Sequence, residues 1–191
     1  MCSSDLLSTR YAMTRTGGKK IAVQHHHAHI ASAMAENGIE GPVIGLAFDG
    51  TGYGEDGAVW GGEVLIADYR SFRRAAHLAY TPMPGGDAAV REPWRMALAY
   101  LQEAYGKGLR ELALPLFQRL DAAAEETVLA MAARGVNAPP TSSLGRLFDG
   151  IAALLDLRHT VSFEGQAAMA LEMVSDPGET GAYETAWSSG E

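Results

Sequence analysis

Two apolar runs, PVIGLAF at 42–48 and VWGGEVLIA at 59–67, flank a segment at 49–57 (DGTGYGEDG) in which four of nine residues are glycine. No other feature limits the fold as tightly. Apolar runs of this length, bounded by glycine, are too short for buried helices and have the make-up of buried strands. A third run at 72–78 follows a short polar turn. Together the three predict an antiparallel meander with a glycine-rich first turn. A strand running into glycines lets the backbone come close to a ligand and aim N–H groups at an anion. The plain alternative is an ordinary hairpin turn with Asp49 in an Asx turn.

Around this meander the periodicity is helical. Residues 19–23 end in apolar side chains and suit a strand end, and 25–37 reads as a helix with Ile30, Ala33 and Met34 on one face and Gly38 to stop it. A Pro/Gly loop at 81–87 (TPMPGGD) changes the character of the chain. Beyond it, Pro93 suits the first position of a helix whose stripe is Trp94, Ala97, Leu98 and Leu101. Further helices are expected near 109–120 and 122–134, at 144–157 and at 164–174. The stripe of 144–157 is Leu147, Phe148, Ile151, Leu154 and Leu155, with Ser142 or Ser143 as cap. Trp60, Trp94 and Trp187 are assigned to packing or surface. The sum is an α/β chain: a strand meander, then a mainly helical segment.

Charge and cysteine usage narrow the chemistry. With 15 basic and 23 acidic residues the net charge is −8, which disfavours a phosphate backbone but not a single nucleotide held by backbone N–H groups. The only cysteine is Cys2, so a metal must be held by His and carboxylate. No stretch approaches the roughly 18 apolar residues of a membrane span, and no charged-then-apolar leader is present. The expected compartment is the cytoplasm, with no membrane and no nucleic-acid partner.

Five segments carry candidate chemistry. In Gln24-His25-His26-His27-Ala28-His29, residues four apart share a helix face, so His25 and His29 can bind one metal; His26 and His29, three apart, are a second suitable pair. A helix N-terminus also keeps imidazole neutral. Alone, such a tract reads rather as a solvated helix start or a chance run that picks up metal weakly; the glycine-rich segment that follows shifts the balance toward a metal pair. Asp49, at a strand end about twenty residues on, is the candidate third ligand and catalytic group, and Gly50, Thr51, Gly52 and Gly54 are the candidate phosphate contacts. In LGRLFD at 144–149, a helical Gly145 costs up to about 1 kcal/mol against Ala, which points to close approach by something. Asp149 lies off the apolar stripe, either free for ribose hydroxyls or a solvated carboxylate. SFEGQ at 162–166 and GGD at 85–87 are explained by capping and turning.

In order along the chain, LSTRYA (7–12), VQHHHAHIASAMAE (23–36), GPVIGLAFDGTGYGEDGAVWGGEVLIADY (41–69), RRAAHL (73–78), PMPGGDAAVREPWRMALAYL (82–101), SSLGRLFDGIAALL (142–155) and VSFEGQAAMALE (161–172) resemble the HypF family of hydrogenase maturation carbamoyltransferases. The resemblance spans 7–175 and implies a partial TsaD-like domain with the actin-like ATPase (ASKHA, RNase H-like) fold, whose phosphate loop has the strand, D-G-T-G, strand layout. It implies an iron or zinc ion on His25, His29 and Asp49, and nucleotide contacts at Gly145 and Asp149, with Arg146 and Leu147 standing where TsaD-like enzymes have Glu and Ala. The implied reaction passes the carbamoyl group of an ATP-derived carbamoyl-adenylate to the C-terminal cysteine of HypE, using domains outside this segment, so the segment alone is expected to be inactive. Residues 1–6 (MCSSDL) do not resemble the family and read as a non-native leader; 176–191 match nothing clearly. The alternatives are a TsaD-like tRNA threonylcarbamoyladenosine synthase, a sugar or acetate kinase of the same superfamily, and a metal-binding fragment without activity.

Overall fold

A computed structural model describes residues 7–186; residues 1–6, where a leader was expected, with Cys2, and Trp187 and the end of the tail lie outside the described residues. Helices α1 (Leu7–Thr14) and α2 (His25–Glu36) come first. Three strands follow, β1 (Val43–Tyr53), β2 (Val59–Ala67) and β3 (Phe72–His77), and they form the expected antiparallel meander. The expected strand end at 19–23 is instead irregular chain, with Ile21 and Val23 exposed.

Helix α2 lies on the meander. Ile30 and Met34 pack with Ala47, Leu65 and Ala67, while Ala33 is exposed. Gly45 is needed for this packing: a Cβ there would stand 2.3 Å from the Ile30 side chain. The opposite positions of β1, Ile44, Leu46 and Phe48, are exposed. The glycine-rich segment is less of a turn than expected. Strand β1 runs on through Asp49–Tyr53, and the reversal occurs at 54–57, where Gly57 takes a φ of +82°. The pairing shifts between Phe48↔Gly62 and Gly52↔Trp60, so Asp49, Gly50 and Thr51 bulge out opposite Gly61.

Beyond β3 come β4 (Thr81–Pro82), α3 (Asp87–Arg91), α4 (Trp94–Tyr105), α5 (Pro115–Arg119), α6 (Ala122–Arg134), β5 (Pro140–Thr141), α7 (Leu144–Leu154) and α8 (Gln166–Met173). The two-residue strands β4 and β5 escape periodicity; β5 pairs with β2 at Val59↔Thr141 and so brings the start of α7 to the sheet. The helix expected at 109–120 is a 3-10 turn at Gly106–Glu111 followed by the short α5, with Pro115 opening the second piece. Trp94, Ala97, Leu98 and Leu101 are buried as expected, in a core shared with Leu116, Val128 and Ala153.

Helix α7 is rotated from the expected orientation. Its buried residues include Arg146, Asp149, Gly150, Ala152 and Ala153, whereas Phe148 is 37% and Leu155 57% exposed. Small residues explain this. A Cβ on Gly150 would stand 2.9 Å from the Tyr100 ring, so α7 meets α4 closely through its glycine and alanines rather than through its largest side chains.

Candidate metal centre

Gln24 starts α2: its side-chain oxygen accepts from the backbone N–H of His27 at 2.9 Å. The four histidines at the start of α2 then fan out to different surroundings. His25 and His29, one turn apart, bring their Nε2 atoms to 3.1 Å, and His25 Nε2 stands 2.7 Å from Asp49 Oδ2. One ligand atom from each of His25, His29 and Asp49 lies within 4.8 Å of the others. Electron-pair donors this close repel unless a proton or a cation lies among them. Ligands sharing a metal with bonds of about 2.0–2.1 Å stand about 3 Å apart, so this donor set fits a divalent ion. His27 turns away; its Nε2 is 2.6 Å from the carbonyl oxygen of Asp68.

His26 is fully buried. Burial, and then the neighbouring His25, lower its pKa to about 4. Its ring occupies the space beside Gly52, where a Cβ would stand 2.3 Å from His26 Cε1. At Gly54 a Cβ would meet the Trp60 indole at 2.2 Å. Among the glycines proposed for phosphate, Gly52 and Gly54 are therefore filled by the protein's own rings. Gly50 alone of the three meets no ring; a Cβ there would stand 3.4 Å from Glu164 Oε1 and 3.9 Å from Arg146 Nη2. Thr51 is exposed, and its hydroxyl donates to the Gly50 carbonyl.

The bulge is gripped from β2 and α7. Asp49 Oδ1 accepts from Gly50 N–H at 2.6 Å. The buried Ser143 hydroxyl lies 2.9 Å from Asp49 O and 2.7 Å from Gly50 O, while accepting the Arg146 N–H as the cap of α7. Cβ atoms on Gly61 and Gly145 would stand 2.3 Å from Asp49 O and 2.7 Å from Gly50 Cα. The close approach foreseen at Gly145 is thus made by the bulge itself.

Below the bulge, the fully buried Glu63 accepts from the N–H groups of Gly61 and Gly62, the Ser142 hydroxyl and Arg74 Nε. Arg74 lies over the Trp60 ring at 4.0 Å. Neither residue was flagged by sequence reasoning; the only sign was a glutamate beside two glycines in an otherwise apolar strand.

A cleft of about 290 Å³ opens at Asp49, lined also by Gly50, Gly145, Arg146, Asp149 and Glu164 among others. Asp149 is not the solvated carboxylate expected off the stripe. It is 3% exposed and 2.7 Å from Arg146 Nη2, and burial raises its pKa against the lowering effect of Arg146. The contact lies off the line of a good hydrogen bond, and Arg146 Nε and Nη1 are buried without partners. On the other side of the bulge, Thr51, Gly52, Asp87, Ser162, Phe163 and Glu164 line a wider cleft of about 600 Å³, which brings the GGD and SFEGQ segments to one place.

Residues 45–190 match the family described as Carbamoyltransferase, Kae1-like Domain, second subdomain, and residues 2–36 match the HypF Kae1-like domain. Carbamoyltransferase HypF2 of Cupriavidus necator is 46% identical over 181 residues, 90% of this chain and 21% of that protein. Carbamoyltransferase HypF of Rhodobacter capsulatus is also 46% identical, over 90% of this chain and 23% of that protein. A crystal structure of full-length HypF in the phosphate- and nucleotide-bound form superposes with a TM-score of 0.84 at 42% identity, covering 97% of this chain and 29% of the other. HypF of T. kodakarensis gives 0.68 at 42% identity, covering 78% and 20%. The chain thus spans about a fifth of the length of these two curated relatives. With this α/β architecture and these matches, the chain belongs to the HypF carbamoyltransferase family, in its Kae1-like domain.

Proposed function

We propose that this chain forms the metal- and nucleotide-binding face of a carbamoyltransferase that moves the carbamoyl group of a carbamoyl-adenylate, made from carbamoyl phosphate and ATP, to the C-terminal cysteine of an acceptor protein, HypE. The observation that carries the reading is the convergence of His25, His29 and Asp49 at the edge of the cleft lined by Gly50, Gly145 and Asp149, in a member of this family. A divalent ion, iron or zinc, held by the three ligands supplies Lewis-acid chemistry there.

The chain's own residues position the reactants. Gly50 leaves room for an anionic group beside Asp49, and Arg146 puts positive charge at the cleft floor. Asp149 takes the ribose hydroxyls through the oxygen that does not face Arg146. The acceptor thiolate attacks the carbamoyl carbon; the C–S bond forms, the bond from that carbon to the phosphate oxygen breaks, and AMP leaves with the electron pair. The acceptor brings its own nucleophile, so none is required of this chain. We place the reaction in the cytoplasm because its co-substrates are made there; among the described residues no helix is long and apolar enough to cross a membrane.

The test is Asp49→Asn in a full-length protein carrying this chain. Carbamoyl-phosphate-dependent release of pyrophosphate from ATP, which marks formation of the adenylate, should continue, while transfer to the acceptor thiol should fall by at least about a hundredfold. Transfer at the wild-type rate would contradict the reading.

A further inference from the structure

The metal ligands do not account for His26. It is fully buried between Gln24, Gly52 and Trp60, and its Nε2 has no hydrogen-bond partner. The orientation of Gln24 decides which nitrogen of this ring carries the proton. Gln24 Oε1 is engaged by His27 N–H, so its amide nitrogen faces the other way, 3.1 Å from His26 Nδ1 and 3.1 Å from the carbonyl oxygen of Tyr53. An amide N–H donates to Nδ1, so in the neutral ring Nδ1 accepts and the proton sits on Nε2. The nearest carboxylate to that buried N–H is the candidate metal ligand: Nε2 stands 4.0 Å from Asp49 Oδ2. An unsatisfied N–H in a closed interior is costly, and a small movement of the carboxylate would satisfy it.

We propose that His26 is a positioning residue for Asp49: with its tautomer set by Gln24, it offers Nε2–H to the carboxylate and holds that ligand toward the metal shared with His25 and His29. The inference rests on the metal reading given above and adds a residue that does not itself ligate. Outer groups that orient a metal's ligands typically change affinity 10–100-fold when removed. Gly52 belongs to the same device, since any side chain there would displace the ring.

The experiment is a zinc titration of the full chain by calorimetry, for wild type, His26→Phe and His26→Gln, with thermal melting of each metal-free protein. His26→Phe keeps a flat ring but no donor, and should bind zinc 10–100-fold more weakly than wild type. His26→Gln restores an N–H at similar reach and should recover most of that loss. A purely structural role would lower the melting temperature of both variants and leave zinc affinity unchanged. A folded His26→Phe chain that binds zinc as tightly as wild type overturns the inference alone. Wild type that binds no zinc overturns the metal reading and the inference with it. Should His26→Phe not fold, imidazole nitrogen NMR of the wild-type chain decides: a protonated Nε2 supports the proposal, and a protonated Nδ1 overturns it.

Discussion

Asp149 sits 3% exposed beside the Arg146 guanidinium at 2.7 Å, and removing either partner strands the other charge in the interior. Asp149→Ala should therefore destabilise the chain by about 3–5 kcal/mol. Phe148→Ala, on the partly exposed side of α7, should cost less, about 1–2 kcal/mol. Thermal melting of the two variants checks the order, and an earlier melt for Phe148→Ala would contradict it. Because burial raises the Asp149 pKa, the folded chain keeps a proton that the unfolded chain has released above about pH 4. This group's favourable contribution is complete below that pH and is lost as pH rises through its folded value. His27 presents the opposite case to its neighbours. Bound to the Asp68 carbonyl and turned from Asp49, it should, when changed to Ala, lose about 1–3 kcal/mol of stability while zinc affinity stays within twofold of wild type.

Helix α7 and the β1 bulge act as one unit because glycines and a serine hydroxyl leave no space between them. Gly145→Ala would push a methyl to 2.7 Å from Gly50 Cα, backbone that cannot yield cheaply. The expected result is about 1–3 kcal/mol of destabilisation together with weaker zinc binding, since the pressed residue adjoins Asp49. Gly108→Ala is the control, with open space at its Cβ position and no left-handed φ. Equal melting and equal zinc affinity for the two variants would show that the clamp does not matter. These contacts mark a limit of sequence reading. The apolar stripe of α7 was legible, but its buried side was not, because Gly150, Ala152 and Ala153 win the contact with α4 by being small. Likewise the glycines at 52 and 54 announced close approach without saying that His26 and Trp60, rather than a phosphate, do the approaching.

Across the whole molecule, what sequence made legible is what depends on local periodicity or on a shared helix face: the meander, the long helices, and the His25–His29 pair. The placement of Asp49 against that pair is tertiary, and its clue was only a strand end facing glycines. The pair of buried Glu63 with half-buried Arg74, and the two-residue strands that carry α7 to the sheet, arise from long-range pairing and left almost no local pattern. Family membership fixes the kind of protein, while the central physical claim is that this fold brings three ligands from two elements to one ion. The most direct test is calorimetric titration of zinc into the wild-type chain, His25→Ala and Asp49→Ala at neutral pH. One ion per wild-type chain, with stoichiometric binding lost in both variants while His27→Ala retains it, is the predicted result. Undiminished binding by His25→Ala or Asp49→Ala would contradict the claim.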